Sequence, residues 1–273
     1  VNPVADTPSV TNATTNEDTQ TTSGLVISRN VADGAEVTHF KITGITNGTL
    51  YKNDGTTQIT NGTFITFAEG NAGLKFTPTP DFNGTGSFTV QASTSNGDAG
   101  LGGSTVAATI TVNAVNDAPV ISGSNNLTTI SEDDVSNTGT LVSALISGHV
   151  TDVDAGAVSG IAVTAVNNSN GTWQYSTNGG GSWTSFGSPS TSAARLLAAD
   201  ANTRVRFVPN ADWNGTVTGG LTFRAWDQTS GSNGGTADTS TNGGITAFSS
   251  ATVSSSVTVT PVNDAPTVTN GST

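Results

Sequence analysis

Apolar and polar residues alternate in short runs along the first part of the chain. Examples are Thr38-His39-Phe40-Lys41-Ile42, Thr63-Phe64-Ile65-Thr66-Phe67, Gly86-Ser87-Phe88-Thr89-Val90-Gln91-Ala92 and Thr105 to Val112. A period of two places every second side chain on one face, the pattern of a half-buried strand. Between the runs stand Asn47-Gly48, Asn53-Asp54-Gly55, Asn61-Gly62 and Asn83-Gly84, which suit tight turns between antiparallel strands. About seven short strands at such spacing predict an antiparallel sandwich. No segment has the length and caps of an amphipathic helix. The nearest is Ser192 to Ala201, expected to form one or two helical turns inside a loop.

The pattern then repeats. Arg206-Phe207-Val208-Pro209-Asn210-Ala211-Asp212-Trp213-Asn214-Gly215 follows Lys75-Phe76-Thr77-Pro78-Thr79-Pro80-Asp81-Phe82-Asn83-Gly84, and Thr129-Ile130-Ser131-Glu132-Asp133 follows Thr15-Asn16-Glu17-Asp18. The junction Val115-Asn116-Asp117-Ala118-Pro119 returns as Val262-Asn263-Asp264-Ala265-Pro266, with a worn copy at Val4-Ala5-Asp6-Thr7-Pro8. Proline ends a strand ladder because it has no N–H to donate. These marks predict modules at 1–117 and 118–264, with 265–273 the start of a following one, so the chain reads as part of a longer tandem array. The second module carries insertions, and the Gly/Ser/Thr-rich stretch Asp227–Ser250 is expected to be a flexible hairpin loop.

Composition narrows the function. Only 10% of residues are charged and the net charge is −12, which argues against nucleic acid and against anionic membrane surfaces as partners. Cysteine is absent, so disulfides and thiolate metal sites are excluded. No apolar run of about 18 residues is present, so no membrane insertion is expected. The two histidines, His39 and His149, lie in no nucleophile or zinc motif, and Gly100-Leu101-Gly102-Gly103 lacks the following Lys of a phosphate loop; a non-enzymatic protein is expected.

The acids recur at fixed places. Glu17 or Glu132 opens a module, Asp81-x-Asn83 or Asp212-x-Asn214 precedes its penultimate strand, and Asn116-Asp117 or Asn263-Asp264 closes it. Asp152-Val153-Asp154 and Asp227 are found in the second module alone. This arrangement resembles the cadherin repeat, especially the cadherin-like modules of large bacterial surface adhesins. In that family a Glu near the module start, an acidic motif before the last hairpin, the linker, and the next module's Asp-x-Asp and Ala-x-Asp bind calcium together. The linker here, Ala114-Val115-Asn116-Asp117-Ala118-Pro119, lacks the family's first Asp and last Asn. The resemblance implies an all-β chain of two tandem Greek-key β-sandwich modules, cadherin- or immunoglobulin-like, arranged end to end, with an extracellular or cell-surface location.

Ca²⁺ takes six to eight hard oxygen ligands, which carboxylates and Asn carbonyls supply. If the modules stack, Glu17, Asp81, Asp117, Asp152, Asp154 and Asp227 would converge on the joint at Asn116-Asp117, where their mutual repulsion calls for cations. Asn83 and Asn214 are the weakest ligands of the set, because Asn-Gly also serves plain turns. Glu132, Asp212, Asn214, Asn263 and Asp264 make half a site whose other half a further module would supply. At the entry of the first module only Asp6 and Asp33 remain, with Thr94 in the place of Asp227. The plain reading of each motif, a turn or an extended linker, stays open for Glu132, Asp212 and Asp264.

The expected partners are neighbouring modules, with cell-surface proteins or glycans as adhesion ligands. A second reading is a glycan-binding module, since Trp173, Tyr175, Trp183, Trp213 and Trp226 gather in the second module. Ser176 to Trp183 resembles the Asp-box turn of sialidase propellers with Asn178 in place of Asp, which implies a structural hairpin whose Trp183 packs beside Trp173 and Tyr175.

Overall fold

The computed structural model describes residues 4–266 and 268. The chain forms two compact units, Val1–Val115 and Asn116–Thr273. Most of 265–273, read above as the start of a further module, lies outside the described residues.

In the first unit a five-stranded sheet has the order Ala13–Asn16, Leu101–Asn113, Gly84–Ser93, His39–Thr46, Phe64–Thr66. Opposite it lie Gln58–Ile59, Gly48–Tyr51 and Lys75–Pro78, and the pair Ser9–Val10 with Ile27–Ser28. His39–Thr46 and Gly84–Ser93 are sheet neighbours although Gly48–Tyr51, Gln58–Ile59 and Lys75–Pro78 of the second layer lie between them in sequence, a Greek-key connection. The alternation predicted from the sequence is the alternation of burial. Phe40, Ile42, Phe88, Val90, Ile110 and Val112 face Leu25, Ile27, Leu50, Ile59, Leu74 and Phe76 in one core.

The second unit repeats this plan. Ile130–Ser131, Val253–Thr260, Gly215–Trp226, Gly160–Val166, Ala194–Ala198 and Thr236–Ala237 form one sheet. Thr140–Leu141, Arg204–Pro209, Gly171–Ser176 and Thr184–Ser185 form the other. Trp173, Phe207, Phe223, Leu197 and Val163 fill the space between them. Gly171 is required here, since a Cβ would stand 2.4 Å from the Phe207 ring. Gly48 is under the same constraint, with Phe76 at 2.3 Å.

Two expectations are corrected. Ser192 to Ala201 is not helical: Ala194–Ala198 is a strand paired with Gly160–Val163 and with Thr236–Ala237. Its Leu197 enters the inter-sheet core, and Leu196 enters a second cluster on the outer side. Both faces are covered, so this strand carries apolar residues on both sides, and tertiary pairing overrides the helix propensity of Ala, Arg and Leu. The second correction concerns Asp227–Ser250, which packs instead of extending as a loose loop. Ala247, Phe248 and Ala237 cover Ala162, Ala194, Leu196, Ala198 and Trp226, while Thr239 and Ser249 are buried.

Two five-residue helices interrupt the strands. Phe67–Asn71 is closed by a capping box, in which Thr66 Oγ1 accepts from Glu69 N–H and Glu69 Oε2 accepts from Thr66 N–H. Val142–Ile146 buries Val142, Leu145 and Ile146. Among the described residues no helix is long and apolar enough to cross a membrane.

The outer cluster is testable apart from the main core. Leu196→Ala should destabilise the second unit by about 2–5 kcal/mol, the range for a buried leucine truncation. Amide exchange should rise first at Asp227, Thr239 and Gly243. Unchanged protection at those amides would mean that the insertion is held without the cluster.

Candidate metal-binding half-sites

The sites grow from one piece of strand pairing. In the first unit Ala13–Asn16 runs parallel to the last strand, with Asn16 opposite Asn113. The ladder continues one step, Glu17 N–H donating to Asn113 O at 3.0 Å. Glu17 is thereby set beside the exit segment, where its Oε1 accepts the Val115 N–H at 2.6 Å. Asn83 Nδ2 donates to Glu17 Oε2 at 3.5 Å, and Glu17 is buried. Asp81, at φ 56° in the preceding turn, donates its N–H to Asp18 Oδ1 at 3.2 Å. Asp18 did not figure among the sequence candidates, although it adjoins Glu17.

The second unit builds the same arrangement from the same residue types. Ile130–Ser131 runs parallel to Val259–Thr260, and Glu132 N–H donates to Thr260 O at 3.0 Å. Glu132 Oε1 accepts the Val262 N–H at 2.6 Å, and Oε2 accepts from Asn214 Nδ2 at 2.8 Å. The Val262 amide and the Asn214 side chain hold the Glu132 carboxyl below the ordinary glutamate range, against a smaller opposing effect of burial. Asp212 takes φ 57°, as Asp81 does, and stays exposed at its turn. Asn263 Nδ2 reaches only the neighbouring Asp264 carbonyl, at 3.3 Å, and both residues are exposed.

At the entry of the second unit the acids gather. Asp117 N–H donates to Asp154 Oδ2 at 2.9 Å, and Asp154 N–H donates to Asp152 Oδ1 at 3.0 Å. Asn116 Nδ2 donates to Asp227 Oδ2 at 2.9 Å, and Asp227 is 3% exposed. Asp227 Oδ1 accepts from Thr229 N–H at 2.8 Å and from Thr229 Oγ1 at 2.6 Å. Thr229 was missed, and its only signal in sequence is the Asx-type spacing Asp227-x-Thr229. At the entry of the first unit Asp6 N–H donates to both oxygens of Asp33, at 3.1 and 3.2 Å. This is the Asp117–Asp154 contact again, without counterparts of Asp152 and Asp227.

The aromatic residues considered for sugar binding are mostly inside. Trp173 and Trp226 are buried, Tyr175 is 8% exposed, and Trp213 packs at the core edge against Phe207. The Ser176–Trp183 turn is a structural hairpin: Ser182 N–H donates to Asn178 Oδ1 at 3.0 Å and Gly180 N–H to Ser176 Oγ at 3.0 Å. The ring of Trp183 lies 4.2 Å from the Arg206 guanidinium, while Trp173 and Tyr175 have Phe207 and Phe186 as their ring neighbours.

Residues 1–113 match the family model of the bacterial Ig domain. Among solved structures, mouse cadherin-23 EC22–24 is similar at 14% identity and a TM-score of 0.49, covering 95% of this chain and 68% of that one. Human mucin-like protocadherin EC1–2 is similar at 12% identity and a TM-score of 0.45, covering 93% and 98%. Drosophila N-cadherin EC1–4 gives 14% identity and a TM-score of 0.44, covering 94% and 50%. No curated protein sequence matches. The resemblance to cadherin-like tandem modules drawn from the motifs is of the same kind as these matches. The fold itself rests on the strand pairing described above.

The Glu132 carboxyl provides a direct check. Its depressed pKa contributes stability that is complete above the ordinary glutamate range and is lost as pH falls through that range to the depressed value. Carbon-detected NMR titration should find Glu132 below an unperturbed glutamate, and Asn214→Ala should move it upward. A Glu132 titration unmoved by that change would remove the amide from the account.

Proposed function

We propose that the chain is a calcium-dependent structural and adhesive repeat segment of a secreted or cell-surface protein. The observation that carries the reading is the duplicated contact of Glu17 with Val115 N–H and of Glu132 with Val262 N–H. Each ties a buried carboxylate to the residue just before an Asn-Asp pair. Val115 and Asn116 are consecutive. The first is held by Glu17 of one unit and the second by Asp227 of the next.

The donor chemistry suits Ca²⁺. Glu17, Asp117, Asp152, Asp154 and Asp227 offer carboxylate oxygens, Asn116 a carbonyl, and no thiolate or imidazole stands among them. On this reading the sequence motifs that would supply ligands are Glu17 and Asp81 of the first module and Asp117, Asp152, Asp154 and Asp227 of the second. A divalent ion neutralises carboxylates that otherwise repel, in a chain already at −12. Its consequence is a stiffened linker, and the partners are neighbouring modules together with a cell-surface ligand. Asn83 and Asn214 serve as donors that orient Glu17 and Glu132 rather than as ligands, because their amide nitrogens face the carboxylates. Burial of Trp173, Tyr175 and Trp226 removes three of the five rings on which sugar stacking would rest.

Titration calorimetry on the whole chain should give Ca²⁺ dissociation constants on the order of 10⁻⁴–10⁻³ M, typical of extracellular modules. Asp117→Ala and Asp154→Ala should each weaken binding tenfold or more. Small-angle scattering should show a changed maximum dimension on chelation. A chain that takes up no Ca²⁺, or one whose maximum dimension is indifferent to chelator, would sink the clamp.

A further inference from the structure

The calcium reading leaves the tip of the long insertion without a role. The turn 242–248 is closed on itself, Gly243 N–H donating to Phe248 O at 2.7 Å and Thr246 Oγ1 to Gly243 O at 2.9 Å. Gly243 and Gly244 take φ 72° and 54°, the left-handed region that side chains disfavour. Ala247 and Phe248 anchor it in the outer cluster.

From this anchored turn two carbonyls are presented to the entry segment and a third to Asp227. Gly244 O accepts the Ala118 N–H at 2.7 Å, Thr246 O accepts the Asn116 side-chain amide at 3.3 Å, and Ala247 O accepts the Asp227 N–H at 3.1 Å. Asn116 and Ala118 flank Asp117, whose N–H is already on Asp154. These bonds join neutral backbone and amide groups, and none needs a cation. The first unit holds its own entry through side chains instead, Ser104 N–H donating to Thr7 Oγ1 at 2.9 Å and Asn30 Nδ2 to Thr7 O at 3.1 Å.

We infer that the turn 242–248 is a metal-independent latch that fixes Asn116 and Ala118 and so presents Asp117 in place before any ion arrives. Gly244 and Thr246 are positioning residues. Their effect on calcium affinity rests on the function proposed above, whereas the latch itself does not. It gives the long insertion a purpose: the entry segment stays docked on the second unit in calcium-free solution, and ion binding avoids the cost of ordering it.

The test uses the whole chain with Gly243→Val and Gly244→Val together, which strain the turn and touch no carboxylate. In chelator, amide exchange at Ala118 should be slowed at least tenfold relative to an unstructured peptide in the wild type. That protection should vanish in the variant while Phe223 stays protected. The variant's Ca²⁺ dissociation constant should rise about tenfold, the scale of lost outer-shell support. Ala118 exchanging at the unstructured rate in calcium-free wild type would overturn the latch. Unchanged calcium affinity in the variant would overturn the positioning role. A wild type that binds no Ca²⁺ but keeps Ala118 protected would discard the calcium reading and leave the latch standing.

Discussion

Each unit depends on the parallel pairing of its entry strand with its last strand. Ala13–Asn16 lies along Ile110–Asn113, and Ile130–Ser131 along Val259–Thr260. Parallel pairing brings the C-terminal ends of these two strands out of the sheet side by side and running the same way. The next residue after the entry strand is Glu17 in one unit and Glu132 in the other. Its backbone N–H extends the ladder, so its carboxylate has little choice but to meet the exit segment. The Val N–H it accepts belongs to a residue that has just left the sheet and would otherwise go without a protein partner. One glutamate thus ends one strand, satisfies the departure of another and fixes the direction of the linker. A shift of one residue in this register would turn the glutamate to the opposite face and release the linker.

Much of this was legible in the sequence because it is written in period-two alternation and in repeated short motifs. Phe40, Ile42, Phe88 and Val90 point inward as the pattern requires, and Asn47-Gly48 and Asn83-Gly84 stand at turns between strands. Glu17 and Glu132 stood out because both modules repeat them at the same distance from a strand. What escaped was decided by long-range packing. Ala194–Ala198 has helical composition, and only its pairing on both edges with cover on both faces makes it a strand. The Gly, Ser and Thr of 227–250 have no periodicity to read, so nothing local foretells that Ala247 and Phe248 close an outer cluster. The helix Phe67–Asn71 follows a run that continues the strand alternation up to Phe67, and only the Thr66/Glu69 spacing betrays its cap.

The aromatic residues show how composition misleads when position is unknown. A concentration of Trp and Tyr in the second module suggests a binding face. Their actual employment is to fill volume: Trp173 packs on Phe207 at 5.2 Å between ring centroids, Phe207 meets Trp213 edge-on, and Trp226 seals the outer cluster. A unit with a longer chain and a second cluster needs more large side chains, and this accounts for the excess.

The two entry segments differ in a way that bears on how such an array would respond to cations. Asp6 against Asp33 and Asp117 against Asp154 are one contact made twice. Around the first, Thr94 stands where Asp227 would be, and the hairpin Gly84–Asn113 turns back after a few residues. Around the second, Asp227 is buried with both oxygens engaged, and an insertion of more than twenty residues is folded down upon it. Burying a carboxylate without a cation is costly unless hydrogen bonds compensate. Asn116 and Thr229 supply that compensation, and the insertion supplies the shielding that makes it necessary. The added charge and the added chain therefore belong together. An Asp at position 94 of the first unit would lack the amide and the covering turn that make Asp227 tolerable, and the plainer entry of that unit follows from its shorter hairpin.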